Sequence, residues 1–185
     1  MKQDLQKKGA VDRKGLWAAI EQWWLALQDL PGDRAELRRA HSPDEAALTS
    51  AYFALLKEIR PFGLSMTMQR MRMPIVAGVL AHVKSNRVTV PVARSMGPED
   101  KDSKARISDL RFRRLLKTED DTELYVMMIR MVRLMDEKVN VQDLAKSLTF
   151  WNERTRKDWA YLYYTGTTLD ASSESQDSDS EQSKD

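Results

Sequence analysis

An all-α protein is what this sequence predicts: two small helical bundles packed together, followed by a disordered acidic tail. Three observations carry that prediction. Apolar residues recur at helical rather than alternating spacing, as Leu16, Ile20, Trp23 and Leu27 do. Start signals, above all Ser42-Pro-Asp-Glu45, stand just ahead of such stripes. From about Thr167 the chain turns to Ser, Asp and Glu with almost nothing to bury.

The elements follow in order. Residues 1–12 are polar and read as a flexible arm. The first helix carries Leu16, Ile20, Trp23 and Leu27 on one line, with Trp17 and Trp24 beside them. Trp24 steps off that line and is the tryptophan expected to be exposed. Asp29-Leu-Pro-Gly-Asp33 breaks the helix, and a short helix over 34–40 follows. Ser42 at N-cap, Pro43 at N1 and Glu45 at N3 make a capping box for one helix through Ile59. Its stripe is Ala47, Leu48, Ala51, Tyr52, Leu55, Leu56 and Ile59, and Arg60-Pro-Phe-Gly63 ends it.

Residues 66–73 are rich in Met and Arg, and Pro74 interrupts or restarts the helix. Ile75, Val76, Val79, Leu80 and Val83 mark a buried helix. Residues 85–106 hold Pro91, Gly97, Pro98 and the run Glu99-Asp-Lys-Asp102, so the boundary between bundles is placed there. Val88-Thr-Val90 reads as a possible strand without a partner run. The expected units are 13–97 for the first bundle, 98–166 for the second and 167–185 for the tail.

In the second half, Ser108-Asp-Leu-Arg-Phe-Arg-Arg-Leu-Leu-Lys117 winds into a two-faced helix. Phe112, Leu115 and Leu116 fall on one side; Arg111, Arg113, Arg114 and Lys117 fall on the other. Ser108 suits the N-cap and Asp109 the positive end of the helix. Leu124, Met127, Met128, Met131 and Met135 then form a narrow apolar stripe, with Arg130 and Arg133 on its far side. Asn140-Val-Gln-Asp143 starts another helix bearing Leu144, Leu148 and Trp151. A last helix carries Trp159, Leu162 and Tyr163.

Charge is unevenly spread over the 185 residues. The whole chain is +2, with 30 Lys and Arg against 28 Asp and Glu. Residues 170–185 hold six acids and one base, leaving 29 bases and 22 acids ahead of them, a net of +7. A basic body meets nucleic acid, acidic proteins or anionic membranes, and charge alone does not choose among these. No run is apolar and long enough for a membrane span or a signal peptide, so a cytoplasmic protein is expected. There is no cysteine, which excludes disulfides and thiolate metal sites.

Catalytic signatures are missing from the sequence: no P-loop, no dinucleotide fingerprint and no grouped Ser, His and Asp. His41 and His82 have no carboxylate at ligand spacing, so neither metal nor cofactor is expected. Binding is the better reading. Arginine exceeds what solubility needs, and its planar fork suits phosphate. The tryptophans sit in helical stripes and read as core or partner packing rather than base stacking. The methionines read as core filler or as an adaptable surface for a partner. The tail serves solubility, screens the basic body, or takes phosphate on its serines.

One ordered set of motifs goes further. Pro31-Gly-Asp-Arg-Ala-Glu-Leu-Arg-Arg39 and Ser42-Pro-Asp-Glu45 come first, then Tyr52-Phe53 and Arg60-Pro-Phe-Gly63. Ala77-Gly-Val-Leu-Ala81, Ala93-Arg-Ser-Met96, Arg106-Ile107, Arg111-Phe-Arg-Arg-Leu-Leu116 and Leu148-Thr-Phe-Trp151 continue the order. The set spans about residues 16–164. It resembles the CasB family, the small subunit of the type I-E CRISPR surveillance complex Cascade.

The resemblance implies a non-catalytic, all-helical subunit that packs in two copies along the backbone subunits holding the guide RNA. Its implied partners are the backbone and large subunits with guide RNA, a second copy of itself, and target DNA. The DNA is mainly the displaced single strand of the R-loop, and no membrane is involved. An R-loop strand gains from a positive groove that reads phosphate rather than base. Basic positions matching the family are Arg39, Arg94, Arg106, Arg111, Lys117, Arg130 and Arg154. Arg38, Arg114 and Arg156 join them on charge. Glu153 falls where the family can carry a base, which interrupts the basic track. The alternative is a pure assembly scaffold whose basic face meets acidic partner subunits.

Overall fold

A computed structural model of the chain describes residues 12–98 and 103–166. The N-terminal arm through residue 11, the run Glu99-Asp-Lys-Asp102 and the acidic tail from Thr167 lie outside the described residues. The helices are α1 (Arg13–Gln28), α2 (Pro31–Arg39), α3 (Pro43–Ala46), α4 (Ser50–Ile59), α5 (Met66–Met71), α6 (Met73–Leu80), α7 (Val92–Met96), α8 (Asp109–Leu116), α9 (Asp121–Leu134), α10 (Val141–Thr149) and α11 (Glu153–Thr165). Two short strands, β1 (Ser85–Asn86) and β2 (Lys138–Val139), pair in parallel, Ser85 with Lys138 and Asn86 with Val139. Among the described residues the protein is all-α apart from this ladder.

α1 starts where the Asp12 carboxylate accepts the Gly15 amide at 3.1 Å. Trp24, expected at the surface, is 3% exposed instead, and its indole N–H donates to the Val83 carbonyl at 3.2 Å. The cause is packing on more than one side of α1: α4 covers one part of it and α10 another. All five tryptophans are buried.

Two helix boundaries differ from the sequence pattern. α2 begins at Pro31, inside the expected break, because proline is well suited to the first helical position. The run 42–59 is split into α3 and α4 rather than continuous. Ser42 accepts the Glu45 amide (3.2 Å), one half of a capping box, while the Glu45 carboxylate reaches past the N-cap to accept the His41 amide (2.8 Å). One turn later the Thr49 hydroxyl donates to the Ala46 carbonyl (2.8 Å) and accepts the Tyr52 amide (3.3 Å), starting α4 afresh. The split turns Leu48 outward, 81% exposed. Val88–Val90, read as a possible strand, is a turn; the pairing strand lies two residues earlier.

α6 is the centre of the fold, and every one of its residues is buried. Such an all-round apolar helix belongs inside rather than on a surface. It packs on α2, α3, α4 and α5 from the first half of the chain and on α9 and α10 from the second. α1 meets α10 and α7 meets α11 in the same way, so buried residues from Leu16 to Tyr163 form one continuous apolar cluster. None of the described helices is long and apolar enough to cross a membrane.

Candidate nucleic-acid interface

α8 is held by its apolar face. Phe112 and Leu115 are fully buried, and the Phe112 ring stacks on Tyr163 with centroids 3.9 Å apart and planes 11° from parallel. Ser108 occupies the N-cap position but makes no side-chain cap bond, contrary to the expectation. Asp109 is engaged instead by the Arg113 guanidinium (2.5 Å) and the Tyr164 hydroxyl (2.5 Å). This leaves Arg111 and Arg114 on a different part of the helix surface, both exposed.

α9 buries a broad face rather than the narrow stripe its methionines suggested. Leu124, Tyr125, Met127, Met128, Ile129, Met131 and Val132 are all inside. Arg130 and Arg133, one turn apart, stay exposed. Between α8 and α9 lies a groove of about 440 Å³. Arg111, Arg114, Arg130 and Arg133 line it above a floor of Met127, Met131 and Leu134. No carboxylate is among its lining residues. Arg114 pairs with Glu123 at 3.1 Å, but both side chains are largely exposed, so the pair is weak and readily exchanged. Arg111, Arg130 and Arg133 pair with no carboxylate among the described residues. Four planar forks over an apolar floor can hold a polyanion by bidentate hydrogen bonds while apolar groups rest between them.

The turn after α9 gathers further cations. Asp136 and Glu137 both adopt φ of 58°, the left-handed region that non-glycine residues seldom enter. Asp136 pairs with Arg106 at 3.1 Å; Glu137 pairs with Arg38 at 3.3 Å and with Lys84. Burial pushes the Glu137 carboxyl up, but the Lys84 hydrogen bond and the Lys84 and Arg38 charges outweigh it and hold it below the usual range. Behind this turn Arg34 donates to the carbonyls of Ala81 and Val83, at 3.0 Å each, in the segment that follows α6. His82 sits beside it, 1% exposed, with neither ring nitrogen hydrogen-bonded among the described residues. Burial first, then the charges of Arg133 and Arg38, lower its pKa to about 4, so it is neutral at pH 7.

The predicted basic residues are therefore distributed unequally. Arg111, Arg114 and Arg130 come together in the groove. Arg38 and Arg106 lie outside its lining and are held by ion pairs to Glu137 and Asp136 in the turn after α9. Arg39 is exposed at the end of α2, and Lys117 is exposed at the C-terminal cap of α8. Arg156 donates to the Leu116 carbonyl at 3.3 Å and lies 3.9 Å from Glu119. Arg94 is half-buried and donates to the Pro98 carbonyl. Arg154 lines a separate groove of about 310 Å³, together with Asp143 and Asp158. Arg133 is a groove residue beyond the predicted set; its signal was its spacing of three from Arg130 on a helix.

Among the described residues no group of three or more His, Cys, Asp or Glu could hold a metal. Fold and site together define, among the described residues, an all-helical protein with an open arginine groove between α8 and α9. The chain belongs to the family of CRISPR-associated protein Cse2, also called CasB, whose family model matches residues 33–164 and so includes the whole groove. A chain in the crystal structure of E. coli Cascade bound to a PAM-containing dsDNA target shares the fold. It aligns at a TM-score of 0.61 and 21% identity, over 83% of this chain and 95% of that one. No curated protein matches the chain.

Proposed function

We propose that this protein is the small subunit of a type I-E CRISPR RNA-guided surveillance complex and works without catalysing a reaction. In this reading it packs along the backbone subunits with guide RNA, beside the large subunit and a second copy of itself, in the cytoplasm. Its task is to hold the opened target, mainly the displaced DNA strand. The observation that carries the reading is the α8–α9 groove, where four guanidiniums converge and no carboxylate is among the lining residues. Phosphates meet such a groove without regard to base sequence, as an R-loop of any sequence requires. Arg39, Lys117 and Arg154 extend the positive surface beyond it, and Arg94, Arg106, Arg38 and Arg156 contribute from partly engaged positions.

The second reading is a scaffold whose basic face meets acidic protein. It is favoured by the apolar groove floor and by Leu110, 75% exposed on α8, since a protein partner would cover both. Reconstitution separates the two. The complex is assembled with guide RNA, with and without this chain, and target retention and chemical reactivity of the displaced strand are measured. Weaker retention and a more reactive strand without the chain support DNA holding. Co-assembly with unchanged DNA behaviour means a scaffold, and failure to co-assemble refutes membership of the complex.

A further inference from the structure

The end of α11 stands beside the helix that carries the groove. Tyr163 stacks on Phe112 and donates to the Ile107 carbonyl at 2.6 Å, and Tyr164 donates to Asp109, the first residue of α8. Gly166 then stops the helix at φ 74°, its amide on the Leu162 carbonyl at 3.1 Å. The 19 residues that follow, 167–185, carry Asp170, Glu174, Asp177, Asp179, Glu181 and Asp185 against the single base Lys184.

We propose that this acidic segment is a ligand of the α8–α9 groove in its own chain, lying on Arg111, Arg114, Arg130 and Arg133 where it competes with nucleic acid. Charge complementarity is the first argument. The groove has four cations and no anion in its lining, and the segment supplies the missing sign. Guanidinium forks donate to carboxylate and phosphate oxygens in the same geometry, so one site serves both. Reach is the second. Fully extended, the segment spans at most about 65 Å, and as a coil roughly 25 Å. α8 is about 12 Å long and about as wide, so crossing from its Asp109 side to its Arg111 side is well within that span.

Tethering sets the strength required. Attachment at this distance gives an effective concentration on the order of 1 mM. A segment–groove contact with a dissociation constant near ~0.1 mM then lowers the groove's apparent affinity for a competing strand about tenfold. A phosphate polymer of higher charge density still displaces it, while weak encounters with stray nucleic acid do not. That consequence rests on the DNA-holding reading; the contact itself does not.

The test compares the full chain with a full-chain variant in which the five acids from Asp170 to Glu181 become Asn or Gln. First, without DNA, backbone amide and arginine side-chain NMR signals of Arg111, Arg114, Arg130 and Arg133 are compared at low salt. They should differ between the two proteins and converge as salt is raised; identical signals overturn the proposal whatever DNA does. Second, oligothymidylate affinity is measured. The neutralised variant should bind about tenfold tighter, and adding Arg130→Glu and Arg133→Glu to both proteins should erase that difference. A gain that survives these groove substitutions overturns the groove as the segment's site. Shifted groove signals with no DNA binding by either protein leave the contact standing and remove the DNA-holding reading.

Discussion

Gly78 and Tyr125 are fitted to each other across the middle of the protein. A side chain at position 78 would place its Cβ 2.8 Å from Tyr125 Cζ, with still closer contacts to the neighbouring ring carbon and hydroxyl. The hydroxyl donates to the Ala40 carbonyl at 3.1 Å, so one phenol joins α6, α9 and the loop after α2. Burial, with the Glu45 charge adding to it, pushes the phenol up to about 12.

Gly78→Ala should therefore destabilise the protein although it sits within a helix. In an exposed helix that change gains roughly 1 kcal/mol. Here the overlap with a fully buried ring dominates, at about 1–3 kcal/mol or more. The urea midpoint should fall; an unchanged or raised midpoint would mean Tyr125 has room to move. Tyr125→Phe tests the other half, costing about 1–2 kcal/mol by leaving the Ala40 carbonyl without its donor.

Which parts of this arrangement were legible in the sequence has a physical pattern. Helix content and most core residues followed from spacing, because each stripe reports one buried face. Trp24 was misjudged because a helix packed on more than one side buries residues off its main line. The α3–α4 split was hidden because Thr49 reads as an ordinary helix residue until its hydroxyl is seen capping both ways. Arg111 and Arg114 were visible as a basic face, but their convergence with Arg130 and Arg133 depends on how α8 meets α9. That is a tertiary fact no local pattern encodes.

Stability should fall with acid through His82. Its pKa is about 4 in the fold against 6.5 for the free side chain, so the unfolded chain binds the proton more tightly. The stabilisation is complete above pH 6.5 and is lost as pH falls from there toward 4, amounting to roughly 3 kcal/mol. Asp143 has the opposite sign, since burial raises its carboxyl, and Glu137, held low, acts only further into acid. Urea unfolding of the wild type at pH 7 and 5 should show the loss, and His82→Met should flatten it. An equal loss in both proteins would assign the acid sensitivity elsewhere.

Arg34 is a structural arginine, and its charge is the least of what it supplies. Its fork occupies the Ala81 and Val83 carbonyls in the segment after α6, while burial and the neighbouring Arg38 lower its pKa. Arg34→Lys keeps the charge and loses the fork. It should cost nearly as much as Arg34→Met, about 2 kcal/mol for two charge-assisted bonds at a half-exposed site. Thermal melting of both variants measures this. A lysine variant as stable as wild type would show that a point charge suffices there.

The groove arginines and the ion-paired arginines should separate by the property each substitution changes. Arg111, Arg130 and Arg133 have no partner carboxylate among the described residues, so removing one leaves no unpaired charge behind. Single changes to Ala there should leave the urea midpoint within about 0.5 kcal/mol of wild type. Each should lower oligothymidylate affinity and reduce the salt slope by about 0.7 for every phosphate that is no longer neutralised. Arg38→Ala leaves Glu137, with only 14% of its side chain exposed, short of one of its two cations. It should therefore lower stability while changing the salt slope little. Measuring midpoint and slope for all four variants decides the assignment. Groove variants that keep the wild-type slope would show that DNA is held elsewhere on the surface, with Arg39, Lys117 and Arg154 the next positions to replace.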